Sequence, residues 1–163
     1  MRITAKVDYG VRAAIELAAA EGTVKGDVLA ERQSIPVKYL ENILADLRRS
    51  GLVASQRGAD GGYRLARPAD EVTVADIIRA VEGPLADVHG TPPEEIDYAG
   101  PARALQRVWV ATRASLRSVL EAVTLADIVA DRLSPGVEDF LADPGVWERR
   151  ASRAERLGQH QAR

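Results

Sequence analysis

With 163 residues, 46% of them hydrophobic and 28% charged, the chain has the composition of one globular domain with room for an appendage, not of a disordered segment. It contains no cysteine and a single methionine, Met1, which excludes disulfides, thiol nucleophiles, thiolate zinc sites, cysteine-ligated iron–sulfur clusters and sulfur-based sensing. The formal net charge of −2 conceals a basic front (11 Lys+Arg against 8 Asp+Glu over residues 1–67), an acidic middle (6 against 14 over 68–145) and a basic end (5 against 2 over 146–163), a distribution that fits a nucleic-acid reader carrying a separate module.

The opening Met1-Arg2-Ile3-Thr4-Ala5-Lys6 lacks the apolar stretch of a signal peptide, and no apolar run approaches the ~18 residues of a membrane span, so a cytoplasmic protein without a membrane partner is expected. Thr4 predicts an N-cap for a helix reaching about Ala20, with Val7, Val11, Ile15 and Ala18 on one face. Asp27 is positioned to cap a short helix from Val28 to about Gln33. Ser34-Ile35-Pro36 breaks the chain, and Pro36 suits the first turn of the next helix, which runs to about Ser50. Leu40, Ile43, Leu44 and Leu47 form its buried stripe. Lys38, Glu41, Asn42, Ala45, Arg48 and Arg49 remain on the open side, and Gly51 is the expected C-cap.

A hairpin follows, with strands over residues 52–57 and 63–67. The turn Gly58-Ala59-Asp60-Gly61-Gly62 has the glycines that positive φ angles favour. Thr73 caps a helix from Val74 to Glu82, with Val74, Ile77, Ile78 and Val81 facing inward. Residues 84–100, with three prolines and a cluster of acids, form a loop long enough to be mobile or functional. Ala102, Leu105, Trp109, Thr112, Leu116, Val119 and Val123 then recur at alternating three- and four-residue steps, a heptad seam. No other segment offers a partner of that length. The same helix from a second copy, crossing antiparallel under two-fold symmetry, is the economical solution, and a core helix within the chain is the alternative. A short helix over 125–133 and a polar, arginine-rich tail that frays complete the chain, with Trp147 packing the tail back on the domain.

Three short helices and a glycine-rich hairpin predict a mainly α fold: a winged helix-turn-helix with a two-stranded β wing and a long C-terminal dimerisation helix. The major groove, about 12 Å wide, admits one α-helix, and the hairpin reaches the neighbouring backbone or minor groove. On this reading Lys38 and Tyr39 touch phosphate, Glu41 accepts from a cytosine amino group and Asn42 pairs with adenine. Glu41 also repels phosphates, so it discriminates rather than attracts. Arg57 inserts into the minor groove, Arg64 meets phosphate, and Gly58 and Gly61 let the backbone approach DNA. Arg2, Lys6 and the start of the first helix reach phosphates.

Three motifs carry a resemblance to a known family. Met1-Arg2-Ile3-Thr4 with Asp8-Tyr9-Gly10-Val11-Arg12-Ala13, then Ile35-Pro36-Val37-Lys38-Tyr39-Leu40-Glu41-Asn42-Ile43-Leu44 with Gly51-Leu52-Val53, and finally Arg57-Gly58-Ala59-Asp60-Gly61-Gly62-Tyr63-Arg64-Leu65-Ala66, resemble the opening, recognition helix and wing of the Rrf2 family of bacterial transcription regulators. The resemblance spans about residues 1–133 and implies a winged helix on a long dimerisation helix. It places the positions of Lys38, Tyr39 and Glu41 on or near DNA. Sensor members of that family hold an iron–sulfur cluster through cysteines in the loop before the dimerisation helix. Here the loop, Gly83 to Gly100, has none. Asp8 stands where some relatives place a carboxylate ligand, but one carboxylate cannot hold a cluster, so no cofactor is expected.

The expected organisation is a DNA-binding domain over 1–82, an acidic loop over 83–100, a dimerisation helix with a short following helix over 101–133, and a C-terminal extension over 134–163. The expected function is a homodimeric, sequence-specific transcriptional regulator, a repressor, on double-stranded DNA with two-fold-related half-sites. A small molecule held by the acidic loop is a possible effector. The expected dimer contacts are Leu105, Trp109, Thr112, Leu116, Val119 and Val123. An enzyme lacks a nucleophile–base pair, a phosphate loop or paired carboxylates in this sequence. A winged helix that binds protein or ligand without specific DNA binding remains open, because the basic excess over 1–67 is small. His89, among Asp87, Glu94, Glu95 and Asp97, matches no metal spacing and reads as part of a solvated acidic loop.

Overall fold

The computed structural model describes residues 2–58 and 61–148. The chain divides into two compact units, Met1–Leu133 and Ser134–Arg163. In the first, α1 (Ala5–Ala19) begins where Thr4 accepts the Val7 N–H at 3.2 Å, and it buries Val7, Ala13, Ala14 and Leu17. The next helix, α2 (Gly26–Gln33), starts earlier than the sequence predicts. Asp27 accepts the Val28 N–H at 2.9 Å from inside the first turn instead of from the cap position, which Lys25 occupies. Pro36 is likewise the N-cap of α3 (Val37–Arg49) and not its first residue. Ser50 is the C-cap, with Gly51 just beyond it. Leu40, Ile43, Leu44 and Leu47 of α3 are all essentially inaccessible, as their spacing requires.

The hairpin pairs β1 (Val53–Gln56) with β2 (Gly62–Leu65), Val53 opposite Leu65 and Gln56 opposite Gly62. Tyr63 also exchanges both backbone hydrogen bonds with Val24 at 2.8 Å, which stitches the wing to the turn before α2. The glycines of the wing are needed for different reasons. Gly58 has a φ of +110°, which favours glycine. Gly61 and Gly62 are needed for space. A Cβ at Gly61 would lie 2.6 Å from the Gln56 carbonyl oxygen, and one at Gly62 would lie 2.6 Å from that of Val24. Gly62→Ala is therefore expected to cost about 2 kcal/mol through overpacking, lowering the thermal midpoint by roughly 6 °C. A circular-dichroism melt checks this, and an unchanged midpoint would mean that Val24 does not hold the wing.

Two capping boxes close the first unit. Thr73 and Asp76 cap α4 (Val74–Glu82), and Thr124 and Asp127 cap α6 (Leu125–Val129). In the second box the Thr124 hydroxyl, and then its backbone N–H, hold the Asp127 carboxyl below the usual carboxylate range. The two starts run antiparallel: Val74 N–H donates to Val123 O at 3.0 Å and Leu125 N–H to Val72 O at 2.9 Å. The core gathers α1, α3 and α4 with Leu125 of α6. Ala75 rather than Val74 completes the buried set of α4.

Between α4 and α5 (Leu105–Leu120) the loop has order of its own. It contains single 3₁₀ turns at Pro93–Glu95 and Gly100–Ala102, and a backbone pair between Val88 and Thr91. Pro93 is buried. The short helix expected over 125–133 ends at Val129, and in the second unit Pro135 opens α7 (Pro135–Leu141), at a position where its missing N–H costs nothing. Trp147 is 72% exposed, and its indole N–H donates to Leu141 O at 3.1 Å within its own unit. The fraying expected for the tail lies outside the described residues from 149 onward. No helix among the described residues is long and apolar enough to cross a membrane.

Candidate nucleic-acid interface

The open face of α3 presents Lys38, Glu41 and Asn42, all exposed, on a helix whose other face is locked into the core. A cluster at its N-terminal end sets its angle. The Tyr39 ring meets Tyr9 of α1 edge-on, with centroids 5.8 Å apart, and the Arg12 guanidinium lies 5.6 Å from the centre of the Tyr9 ring. Arg12 also donates from Nε to Gln33 Oε1 at 2.8 Å, bonds the Gln33 carbonyl, and pairs with Asp8 at 3.2 Å. Gln33 Nε2 in turn donates to Glu16 Oε1 at 2.6 Å. The turn between α2 and α3 is thus tied to α1 by charge-assisted hydrogen bonds to Gln33, and the start of α3 by the Tyr9–Tyr39 ring contact. Tyr39 is half anchor and half surface, 39% exposed.

The wing places Arg57 and Arg64 on its exposed edges. Arg64 donates to the neighbouring Leu65 carbonyl at 3.0 Å, whereas Arg57 has no ion-pair partner among the described residues. Between the wing, the start of α2 and the end of α3 runs an open groove of about 550 Å³, lined by Lys25, Arg48, Ser55, Arg57 and Gly58 among others. Lys25 and Arg48 are cations absent from the expected DNA contacts. They lie far apart in the chain, and the Val24–Tyr63 pairing brings Lys25 to the wing. The Arg48 side chain reaches across to Ser55 Oγ at 3.2 Å.

Lys6 departs from expectation. Its ammonium lies 2.7 Å from Asp46 Oδ2 and 2.5 Å from the Val81 carbonyl oxygen, so it clamps α1 to α3 and α4. Arg2 is exposed, beside the start of α1. The seam of α5 also differs from the sequence reading. The helix ends at Leu120, so Val123 lies beyond it, buried in the intrachain core at 7% exposure, and is not a surface contact. Ala102 sits in the preceding 3₁₀ turn. Leu105, Trp109, Thr112, Leu116 and Val119 remain on the helix, yet no residue of α5 is buried. Val108 and Val110 are exposed beside Trp109, so the apolar band is broader than a two-position seam.

The chain matches the Rrf2 family, described as iron-dependent transcriptional regulators, over residues 3–131. It belongs to that family. Rv1287 of Mycobacterium tuberculosis, which bears the name of an HTH-type transcriptional regulator, is 47% identical over 160 residues, 97% of this chain and 99% of its own length. The solved structure of CymR, the global cysteine regulator of B. subtilis, superimposes with a TM-score of 0.68 at 35% identity, covering 80% of this chain and 97% of that one. The structure of T. potens IscR does so with a TM-score of 0.66 at 39% identity, covering 80% and 88%. This Rrf2 protein is accordingly a winged-helix, DNA-binding transcription regulator of bacterial type, from a family of regulators and not of enzymes.

The iron in the family's description meets an unsuitable donor set here. The chain has no thiolate to offer a cluster. Asp8, the one carboxylate at a relative's ligand position, is paired with Arg12. His89, Asp87, Glu94, Glu95 and Asp97 do not converge: no three potential ligands gather into a metal-sized group among the described residues. The residues present do not fit an iron–sulfur centre.

Proposed function

We propose that the protein is a homodimeric repressor of the bacterial cytoplasm that reads a two-fold-related operator. The observation that carries the dimer is α5: sixteen residues long, with Trp109, Val108 and Val110 exposed and no residue buried, it leaves an apolar band uncovered that a partner would bury. A second α5 of the same sequence satisfies it under two-fold symmetry. The two α3 helices would then enter major grooves about 34–36 Å apart.

In each half-site Lys38 and Tyr39 take phosphates, Glu41 and Asn42 face base edges, and Arg57 enters the minor groove over the turn at Gly58 and Gly61. Arg2 and Arg64 add phosphate contacts, and the groove at the wing base adds Lys25 and Arg48. Lys6 does not contribute. Light scattering combined with gel-shift titration on a selected operator tests the reading. Two copies per particle and affinity that falls steeply with salt are expected, and a single copy indifferent to duplex DNA at low ionic strength would overturn it. Transcription in vitro from a promoter overlapping that operator is expected to fall as protein is added, and a rise would make the protein an activator instead.

Glu41→Ala is expected to relax base preference more than it changes affinity. Removing the carboxylate loses about 1–3 kcal/mol of discrimination at one base pair while lifting a repulsion from nearby phosphates. Selection of random duplexes by wild type and variant, followed by sequencing, checks it. An unchanged preference would place Glu41 off the bases.

A further inference from the structure

Between α4, the loop that follows it and α5 lies a cavity of about 310 Å³, at the lower end of the range for small-molecule sites. Its wall carries both signs of charge: Arg79 from α4, Arg113 and Arg117 from α5, and Asp87 and Glu94 from the loop, with Leu85 and Pro92 supplying apolar surface. Arg113 is the most enclosed of the three cations, its side chain 21% exposed, and its Nη1 lies 2.6 Å from Glu94 Oε2. Arg79 and Arg117 share a single carboxylate oxygen, Oε1 of Glu121, the latter from Nε at 3.1 Å. The Arg113 guanidinium holds the Glu94 carboxyl below the usual range, and Arg79 followed by Arg117 does the same for Glu121. Gln106 of α5 donates to the Glu94 backbone carbonyl at 3.0 Å, which holds that stretch of loop against α5, and the Asp87 carboxylate accepts the Gly90 N–H at 2.9 Å.

The charge pattern selects the ligand. A guanidinium carries five N–H donors in a planar fork, and the ion pair between Arg113 and Glu94 engages one nitrogen of it. A plain anion that took Arg113 would leave Glu94 unpaired and facing it, and a plain cation that took Glu94 would strand Arg113. The second outcome strands the enclosed Arg113, which is costly; the first sets the anion against the half-exposed Glu94, which repels it at close range. A molecule bearing both charges can enter between the partners and leave neither alone. We propose that this cavity binds a small zwitterion of the amino-acid type, its carboxylate on the fork formed by Arg113 and Arg117, its ammonium between Glu94 and Asp87, and an apolar side chain against Leu85 and Pro92. The wall joins the helix that abuts α3 to the helix that carries the exposed apolar band, so the occupant is placed to act on DNA binding. Only that last role, as effector, rests on the repressor reading.

The test uses the full-length protein without DNA. Each standard L-amino acid is added at millimolar concentration and the thermal midpoint is followed. At ten times its dissociation constant a ligand of the native state raises the midpoint by about 4 °C. At least one amino acid is expected to do so, while its amide, lacking the carboxylate, and its desamino acid, lacking the ammonium, bind about tenfold more weakly or worse. Arg113→Gln is expected to abolish the shift. Glu94→Gln, which keeps the size and shape of the loop residue, is expected to weaken binding about tenfold. The proposal is overturned if no amino acid raises the midpoint, or if the desamino acid does as well as its parent. It is overturned equally if Glu94→Gln lowers the midpoint of the free protein yet leaves the ligand-induced shift intact, the mark of a purely structural ion pair. The operator gel shift is read separately, so a failure of DNA binding and a failure of this site are told apart.

Discussion

Trp109→Glu is expected to leave the fold intact, convert the protein to single copies and lower operator affinity by about 10²-fold or more. Trp109 is 36% exposed, flanked by exposed Val108 and Val110, and no residue of its helix is buried, so the chain by itself asks little of its indole. About a third of the 150–250 Å² that an aromatic side chain of that size can bury is left for a partner to cover, and a carboxylate in its place would meet its own symmetry mate across a two-fold interface. Two half-sites held by one particle bind through effective concentration, which is lost when the copies part. Light scattering reads the mass, circular dichroism the helix content, and a gel shift the affinity. A dimer that survives the substitution would place the interface elsewhere.

Arg57→Ala is expected to weaken specific binding by about 1–3 kcal/mol, roughly five- to 150-fold, and to lower the salt slope of binding. Arg57 is exposed at the end of β1, beside Gly58, with no ion-pair partner among the described residues, so its removal breaks no internal contact. A narrow minor groove concentrates negative potential and rewards a guanidinium placed inside it. Titration of variant and wild type on the same operator at several salt concentrations separates the two contributions. Equal affinity and equal slope would remove the wing from recognition.

Much of the DNA-reading half is legible in the residues because its signals are local. The apolar spacing in α3 is a 3.6-residue period that only one face can bury, and the caps Thr4, Thr73 and Thr124 each satisfy backbone donors within three residues. Where the sequence reading falters, a distant partner decides. Lys6 reads as a surface cation until Asp46 and the Val81 carbonyl are brought to it. Val123 continues a numerical heptad, but the pairing of Thr73 with Thr124 pulls the chain out of the helix and into the core just before that point. Lys25 joins the wing through Val24 and Tyr63, which no periodicity connects.

The order of residues along the chain, by itself, determined that this is a cysteine-free winged helix with a long helix after its acidic loop and an arginine-flanked, glycine-rich finger. Those features follow from neighbour-to-neighbour sterics, capping and the burial of one helix face. Only the folded chain decided which cations are engaged in ion pairs, why Gly61 and Gly62 must lack a side chain, and that arginines and acids from three separate segments line one cavity. Such choices depend on which atoms arrive within a few ångströms of each other after long loops close, and Coulomb and contact forces act on that distance, not on separation along the chain.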